Sequence, residues 1–320
     1  MLQSADCRSG AAYVAAQGFL AELLEELRRR NENVLAVRED LVLVESVCDA
    51  TPPAWAQNVW HEPVFIPVTS IADAAAKLKS VQRNWHFHST GCHRRGTLIA
   101  EKLPHVSAKP LVYGSFPPAA PLGSWTLWDE HCLLASARCS SPFPGGQLVF
   151  AENKVDPPSR AYLKLWEVFT RCGIAPQAGE LCVDLGACPG GWTWVAAEHG
   201  ARVFSLDKSP LDAQVERHPL VNACLGSGFG LDPRHVGRVD WLLSDMICYP
   251  DRLWNLVERW LAVGAFRRAV CTLKFQRATD HDTAALFAAV PGSRLMHLSV
   301  NKHELTWIKF DEADTLPSCL

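Results

Sequence analysis

The chain has 320 residues, of which 48% are hydrophobic and 20% are charged, and its formal net charge at pH 7 is −3. This length gives room for two domains of ordinary size, and this composition excludes a disordered chain. It has no apolar run of about 18 residues, which argues against a bilayer-spanning helix, and its small negative charge excludes a protein that is basic over its whole surface.

The N-terminus and the cysteines indicate the cellular compartment of the protein. The first ten residues, MLQSADCRSG, lack the basic-then-apolar order of a signal peptide. The twelve cysteines are scattered without a close CxxC pair, so packing in a reducing environment explains them better than a disulfide framework. We therefore expect a soluble cytoplasmic protein without a membrane segment, in which strand cysteines such as Cys182, Cys224 and Cys271 are buried.

The first half of the chain predicts a small α+β domain over residues 1–150. Apolar residues at helical spacing from Phe19 to Leu27 predict a helix over 17–30, and the arginines at its end suit the negative pole of the helix dipole. A stretch rich in proline, glycine, serine and tryptophan follows Pro104 and reaches about Gly146. The other predicted elements are strands at Leu41–Val44, Val64–Val68, Trp125–Leu127 and Leu148–Phe150, and a helix at Ile71–Ser80.

Residues 77–109 form a local basic segment that contains aromatic residues and histidines. Cations with interleaved aromatic rings suit phosphate contacts beside base stacking, although an ordinary solvated basic face fits equally well. Its histidines and cysteine lie close together but lack a second, separated ligand pair, so we expect no metal site. The cations are Lys77, Lys79, Arg83, Arg94, Arg95, Lys102 and Lys109; the possible metal ligands are His86, His88, Cys92 and His93.

From residue 155 to residue 320, strand-like runs alternate with helical ones. Strands separated by helices of this length are typical of βαβ units, so the pattern predicts an α/β domain with a mostly parallel, doubly wound sheet. The predicted strands are Leu181–Leu185, Arg202–Leu206, Leu220–Cys224, Trp241–Ser244, Ala269–Leu273, Leu295–Ser299 and Leu305–Phe310. Helices are predicted from Gly191 and over Arg252–Val263.

A glycine-rich turn after the first of these strands predicts a ligand site. Glycines let the backbone approach a ligand closely at a helix N-terminus, and in an open α/β sheet this turn lies where ligands bind. The turn does not read G-x-G-x-x-G, and an acid before it would repel a pyrophosphate but attract a cationic amino-acid ligand such as S-adenosylmethionine. A second acid, Asp207, ends the next strand and is placed to bind ribose hydroxyls. The predicted cofactor-binding residues are Asp184, Gly186, Ala187, Pro189, Gly190, Gly191, Trp192 and Asp207.

Five segments of the second half resemble the FtsJ-like family of RNA 2′-O-ribose methyltransferases, most closely its RlmM-type branch, which modifies large-subunit ribosomal RNA. They occur in the family's order and near its spacing. The resemblance implies a Rossmann-like sheet of seven strands with the last one antiparallel, S-adenosylmethionine as cofactor, and RNA, ribosomal in the RlmM-type branch, as partner. The segments are Ser159–Leu165, Asp184–Trp192, Leu243–Met246, Thr272–Lys274 and Lys302–Thr306.

The resemblance further implies a catalytic set of Lys164, Asp245, Lys274 and Glu304. Asp245 and Lys274 follow or end predicted strands and should therefore share the carboxyl edge of the sheet, whereas Glu304 reaches that edge only if the last strand is reversed. The reaction needs a positioned hydroxyl and removal of one proton. We assign Lys274 as the base or hydroxyl activator, tuned by Lys164 and Asp245, with Glu304 holding a lysine or the ribose.

Two features depart from the family pattern. Ser227 stands where family members place an acid that contacts adenine, with Asp232 nearby. The segments at 13–19 and 140–143 resemble the family's N-terminal region, which includes an RNA-binding THUMP domain, but leave less room for it. Three alternatives therefore stay open: an inactive RNA-binding protein with this fold, a nucleotide-dependent oxidoreductase, and a methyltransferase for another RNA such as transfer RNA.

Overall fold

A computed structural model describes residues 10–45 and 51–314 of the chain. The contacts divide the molecule into two compact units, the first ending at Val149 and the second beginning at Phe150. In the described ranges we find no helix that combines the length and the apolar character needed to cross a bilayer.

The described part of the first unit, residues 10–45 and 51–149, contains two β-sheets and three α-helices. One sheet is antiparallel with the order β2-β3-β1-β4-β9, and the other has the order β5-β8-β7-β6. The elements are β1 (Ala11–Ala15), α1 (Leu20–Arg29), β2 (Val34–Arg38), β3 (Leu41–Val44), β4 (Ala56–His61), β5 (Val64–Pro67), α2 (Ile71–Val81), β6 (Trp85–Phe87), α3 (His93–Ala100), β7 (Gly123–Asp129), β8 (Cys132–Ser136) and β9 (Arg138–Cys139).

Two local predictions for the first unit need correction. The helix predicted over 17–30 begins only at Leu20, because Gly18 adopts a φ of +84° that a right-handed helix does not contain. Leu148–Phe150 is not a regular strand: Val149 accepts one backbone hydrogen bond, from the Leu111 N–H at 2.8 Å. Leu148 and Phe150 are buried, so these two side chains contribute to core packing without forming a strand.

The second unit is a seven-stranded sheet with helices connecting its strands. The strand order is β12-β11-β10-β13-β14-β16-β15, and β16 runs antiparallel to both of its neighbours. The predicted α/β fold with a reversed last strand is thus confirmed. The elements are α4 (Tyr162–Cys172), β10 (Leu181–Leu185), α5 (Gly191–Glu198), β11 (Arg202–Asp207), α6 (Ala213–Glu216), β12 (Val221–Leu225), α7 (Pro233–Val236), β13 (Val239–Ser244), α8 (Pro250–Ala262), β14 (Phe266–Lys274), α9 (His281–Ala288), β15 (Ser293–Met296) and β16 (Glu304–Lys309).

The core of this unit lies on the central strands. Strands β10, β13, β14 and β16 are buried along almost their whole length, as expected when helices cover both faces of a parallel sheet. Cys182 and Cys271 belong to this core, but Cys224 is exposed, contrary to expectation. The reason is that β12 is an edge strand, which has a neighbour on one side only.

Candidate active site

The ends of three neighbouring strands bring polar side chains to one edge of the sheet. Asp245 directly follows β13, and Lys274 ends β14, which runs parallel to β13. Because β16 runs the other way, its first residue, Glu304, lies at this same edge and is the direct cross-strand partner of Lys274. Helix α4 supplies Lys164 in its first turn.

The four side chains form a continuous ion-pair cluster. Lys164 Nζ lies 2.9 Å from Asp245 Oδ1 and 2.8 Å from Glu304 Oε1. Lys274 Nζ lies 3.1 Å from the same Asp245 oxygen and donates a hydrogen bond to the Asp245 carbonyl oxygen at 2.6 Å. The structure therefore brings together the two lysines and two carboxylates that the sequence analysis selected.

The two lysines have different surroundings. Lys164 lies between two carboxylates with 9% of its side chain exposed, so its amine is held in one position. Among the described residues, Lys274 contacts one carboxylate, that of Asp245, and it is the most exposed of the four, at 20%. Of the two, Lys274 is thus the amine that an incoming hydroxyl can reach.

Glycines shape the loop between β10 and α5. Gly186 has a φ of +76°, and a Cβ there would lie 2.0 Å from Met246 Cγ. Gly190 has a φ of +112°, and its Cβ would lie 3.0 Å from Val215. A side chain at either position would be strained, so the loop requires glycine for both conformation and space. The Cys188–Pro189 peptide bond is cis.

The start of α5 is joined to the segment that precedes α4. A Cβ on Gly191 would lie 2.6 Å from Ser159 Oγ, and the Trp192 indole N–H donates to the Ala161 carbonyl at 2.9 Å. The Ser159 hydroxyl is buried and finds no hydrogen-bond partner among the described residues. It lines a cavity of about 540 Å³, together with Glu152, Asn153, Lys154, Pro157, Arg160 and Tyr162. An orphaned hydroxyl at a cavity beside a helix N-terminus fits a polar ligand.

The acids at the ends of β10 and β11 differ in accessibility. Asp184 is 1% exposed and accepts a hydrogen bond from Thr193 Oγ1 at 2.7 Å, and burial raises its pKa to about 7. Asp207 is half-buried, and its carboxylate accepts the backbone N–H groups of Cys188 at 3.1 Å and Ser209 at 2.9 Å. Asp184 therefore faces α5, whereas Asp207 is built into the glycine loop itself.

Of the remaining residues predicted to bind the cofactor, Pro189 is exposed, whereas Ala187 and Trp192 have packed side chains. Ala187 packs against Leu211 and Val215, and Trp192 is 2% exposed. Any ligand contact at these positions must come from backbone groups. Ser159, which the sequence analysis quoted without giving it a role, is the added member of the site, and its only signal was its place in the Ser159–Leu165 segment.

The segment after β12 lies against this loop. A Cβ on Gly228 would lie 3.2 Å from Leu185 Cβ and 3.3 Å from Met246 Sδ, so residues 227–229 cover the end of β10. Asp232 caps α7 and pairs with Arg234 at 2.5 Å.

In the first unit, the histidine-rich segment forms separate pairs. His88 Nε2 lies 2.8 Å from Asp40 Oδ1, and His93 is hydrogen-bonded to Ser89. No group of three or more metal-ligating side chains occurs within residues 10–45 and 51–314. Lys77 pairs with Asp73, but in the same ranges no ion pair involves Lys79, Arg83, Arg94, Lys102 or Lys109.

A match to a known protein family lies in the second unit. Residues 157–258 match the FtsJ-like methyltransferase family, which confirms the expected resemblance for this segment. Three relatives are each called "Ribosomal RNA large subunit methyltransferase M". That of Laribacter hongkongensis is 41% identical over 44% of this chain and 41% of its own length. Those of an Azoarcus and a Marinomonas species are 37% and 36% identical, each over 43% of this chain and over 38% and 40% of their own lengths. The match thus spans about two fifths of these relatives.

Proposed function

We propose that this protein transfers a methyl group from S-adenosylmethionine to a ribose 2′-hydroxyl of RNA, that the RNA is ribosomal, and that the reaction takes place in the cytoplasm. The observation that carries the proposal is the partly buried cluster of Lys164, Asp245, Lys274 and Glu304 beside the glycine loop. The family match over residues 157–258 and the relatives' names support it.

The site has features that suit this cofactor. S-adenosylmethionine carries the methyl group on a sulfonium, so the protein itself does not have to activate the methyl group. Asp207 is positioned for ribose hydroxyls, and the backbone of Gly186–Trp192 supplies close, side-chain-free contacts. The buried Ser159 hydroxyl and the N-terminus of α5 suit the carboxylate of an amino-acid moiety.

The protein's task in the reaction is to position the hydroxyl and accept its proton. As the ribose oxygen forms its bond to the methyl carbon, the carbon–sulfur bond breaks and the hydroxyl proton must leave. Lys274 Nζ is the accessible group for that proton, which it can accept only as the neutral amine, after releasing its own ammonium proton to solvent. The Asp245 carboxylate and carbonyl hold the amine in place. Lys164 supplies a fixed positive charge to the same carboxylate, and Glu304 anchors Lys164.

The first experiment is isothermal titration of the protein with S-adenosylmethionine, repeated with Asp184→Ala. We expect micromolar binding in the wild type and loss in the variant, because Asp184 holds Thr193 near the start of α5. Binding of NAD without binding of S-adenosylmethionine would favour an oxidoreductase.

The second experiment is methyl transfer to ribosomal RNA and, separately, to transfer RNA, followed by nuclease digestion and mass spectrometry of the nucleosides. We expect a 2′-O-methylnucleoside from ribosomal RNA. Cofactor binding without methylation of either RNA would favour an inactive RNA-binding protein. Methylation of transfer RNA alone would show that transfer RNA, and not ribosomal RNA, is the substrate.

A further inference from the structure

Helix α4 carries a second buried charge for which the proposed reaction has no use. Glu167 is 0% exposed and lies three residues after Lys164, so the two side chains emerge on neighbouring positions of the helix surface. A carboxylate removed from water is costly unless it is paired and hydrogen-bonded. Its partners therefore indicate what it does.

Glu167 binds the turn between β15 and β16. The Ser299 backbone N–H lies 3.0 and 2.9 Å from its two carboxylate oxygens, and the Ser299 hydroxyl donates to Oε1 at 3.0 Å. Arg171, one helical turn later on α4, contacts Oε1 at 2.8 Å and compensates the charge. The carboxylate thus fastens the helix that carries Lys164 to the turn that precedes Glu304.

Hydrogen bonds within that turn connect it to Glu304. Asn301 is buried, and its Nδ2 donates to the Glu304 carbonyl at 3.2 Å and lies 3.1 Å from Thr306 Oγ1. The Glu304 N–H donates to the Lys302 carbonyl at 2.8 Å. A displacement of Ser299 would therefore be passed on to Glu304.

We propose that Glu167 is a positioning residue that fixes the approach of Lys164 to Glu304. The contacts form a closed ring: Lys164 pairs with Glu304, Glu304 is held by the Asn301 turn, Ser299 of that turn is held by Glu167, and Glu167 shares a helix with Lys164. This inference rests on the proposed function for its effect on turnover, but the geometric effect on Lys164 is independent of it.

The kinetic test compares Glu167→Ala with Glu167→Gln. The alanine variant loses every contact to Ser299, whereas glutamine keeps a carbonyl oxygen that can accept its N–H. We expect kcat to fall on the order of 10- to 100-fold in Glu167→Ala, to be substantially restored in Glu167→Gln, and Kd for S-adenosylmethionine to stay close to the wild-type value. A loss confined to kcat is typical of a group that acts in the reaction and not in binding.

Arg268→Gln is the matched control. Arg268 is also a partly buried charge with carboxylate partners, pairing with Asp314 at 2.6 Å. It precedes Lys274 by six residues on β14, which is about 20 Å along a strand. We expect this variant to lose thermal stability with unchanged kcat. Equal kcat losses in Glu167→Ala and Arg268→Gln would overturn the proposal.

A second measurement does not depend on methyl transfer. The Lys164 amine is labelled with a small amine-reactive reagent, and its rate of modification is read by peptide mass spectrometry. We expect faster labelling of Lys164 in Glu167→Ala, intermediate labelling in Ser299→Ala, which keeps the backbone contact, and a wild-type rate in Arg268→Gln. A wild-type rate in both Glu167→Ala and Ser299→Ala would overturn the positioning role, whereas an inactive wild-type protein would count only against the proposed function.

Discussion

Lys164 and Lys274 share Asp245, yet their surroundings give them different tasks. Lys274 is the more exposed amine, and its substitution by alanine removes the proposed proton acceptor without opening the glycine loop. We expect Lys274→Ala and Asp245→Ala to abolish methyl transfer and to leave the affinity for S-adenosylmethionine within a few-fold of the wild type, measured by titration. Methyl transfer at a rate close to that of the wild type in both variants would refute the assignment of Lys274 and Asp245 to the reaction.

Asp184 gives the stability of the protein a pH dependence of unusual sign. Burial raises its pKa from 3.8 to about 7 in the folded state, so between these values the folded protein holds a proton that the unfolded chain releases. Unfolding is then favoured as pH rises from 4 to 7, by up to roughly 4 kcal/mol.

Asp184→Asn is uncharged at every pH and should remove this dependence. The measurement is the free energy of unfolding by denaturant at several pH values, wild type against variant. We expect the variant to gain stability relative to the wild type as pH rises towards 7, and parallel curves would contradict the burial argument.

At the scale of elements, the sequence predicted the central strands of the second unit but not helix α4, which is buried on nearly every side. Strands β10, β13 and β14 were found to within a few residues. In helix α4 the polar residues Lys164, Glu167 and Arg171 do repeat at helical spacing, but this polar face is largely buried, which the repeat itself does not reveal. The direction of β16 has no local signal at all, and only the resemblance supplied it.

The same limit applies to the site. The positions of Asp245 and Lys274 follow from strand ends, which a local pattern reveals. The hydrogen bond between Thr193 and Asp184 joins residues that are 9 positions apart in the sequence, and the one between Ser299 and Glu167 joins residues that are 132 positions apart. Such contacts follow from the packing of whole elements and have no signature in either segment alone.

Two loops at the reactive edge carry exposed cations that can hold RNA phosphates. Arg277 follows β14 and Lys302 precedes β16, and neither forms an ion pair with any residue in the described ranges. Their segments are joined, since the Phe275 N–H donates to the His303 carbonyl at 3.0 Å and Thr279 Oγ1 lies 2.8 Å from His303 Nε2. The pair therefore borders Lys274 and Glu304.

We expect Arg277→Gln and Lys302→Gln each to reduce the slope of log affinity for RNA against log salt by about 0.7 to 1, with cofactor affinity unchanged. The measurement is RNA binding by fluorescence anisotropy at several salt concentrations. Arg202→Gln is the control, since Arg202 is exposed at the opposite, amino end of β11. An equal change in the control would show a nonspecific charge effect.

At the scale of the whole molecule, all residues of the candidate active site belong to the second unit, and the basic segment 77–109 belongs to the first. We propose that the first unit presents RNA to the second. A fragment of residues 150–320 should therefore unfold in one transition and bind S-adenosylmethionine within a few-fold of the full chain, while its affinity for RNA drops by about 10-fold or more. Undiminished RNA affinity in the fragment would exclude this role.

The exposed thiol on the edge strand β12 has a practical consequence. Cys224 in the second unit and Cys92 in the first are the exposed cysteines of the described ranges, and the others there are buried or half-buried. With Cys7, Cys48 and Cys319, which lie outside the described residues, and the half-buried Cys132, Cys139 and Cys188 replaced by serine, maleimide dyes would label one exposed position on each unit. The efficiency of energy transfer between a donor and an acceptor dye would then measure the distance between the two positions. A change in this efficiency on adding RNA would report that the RNA moves one unit relative to the other.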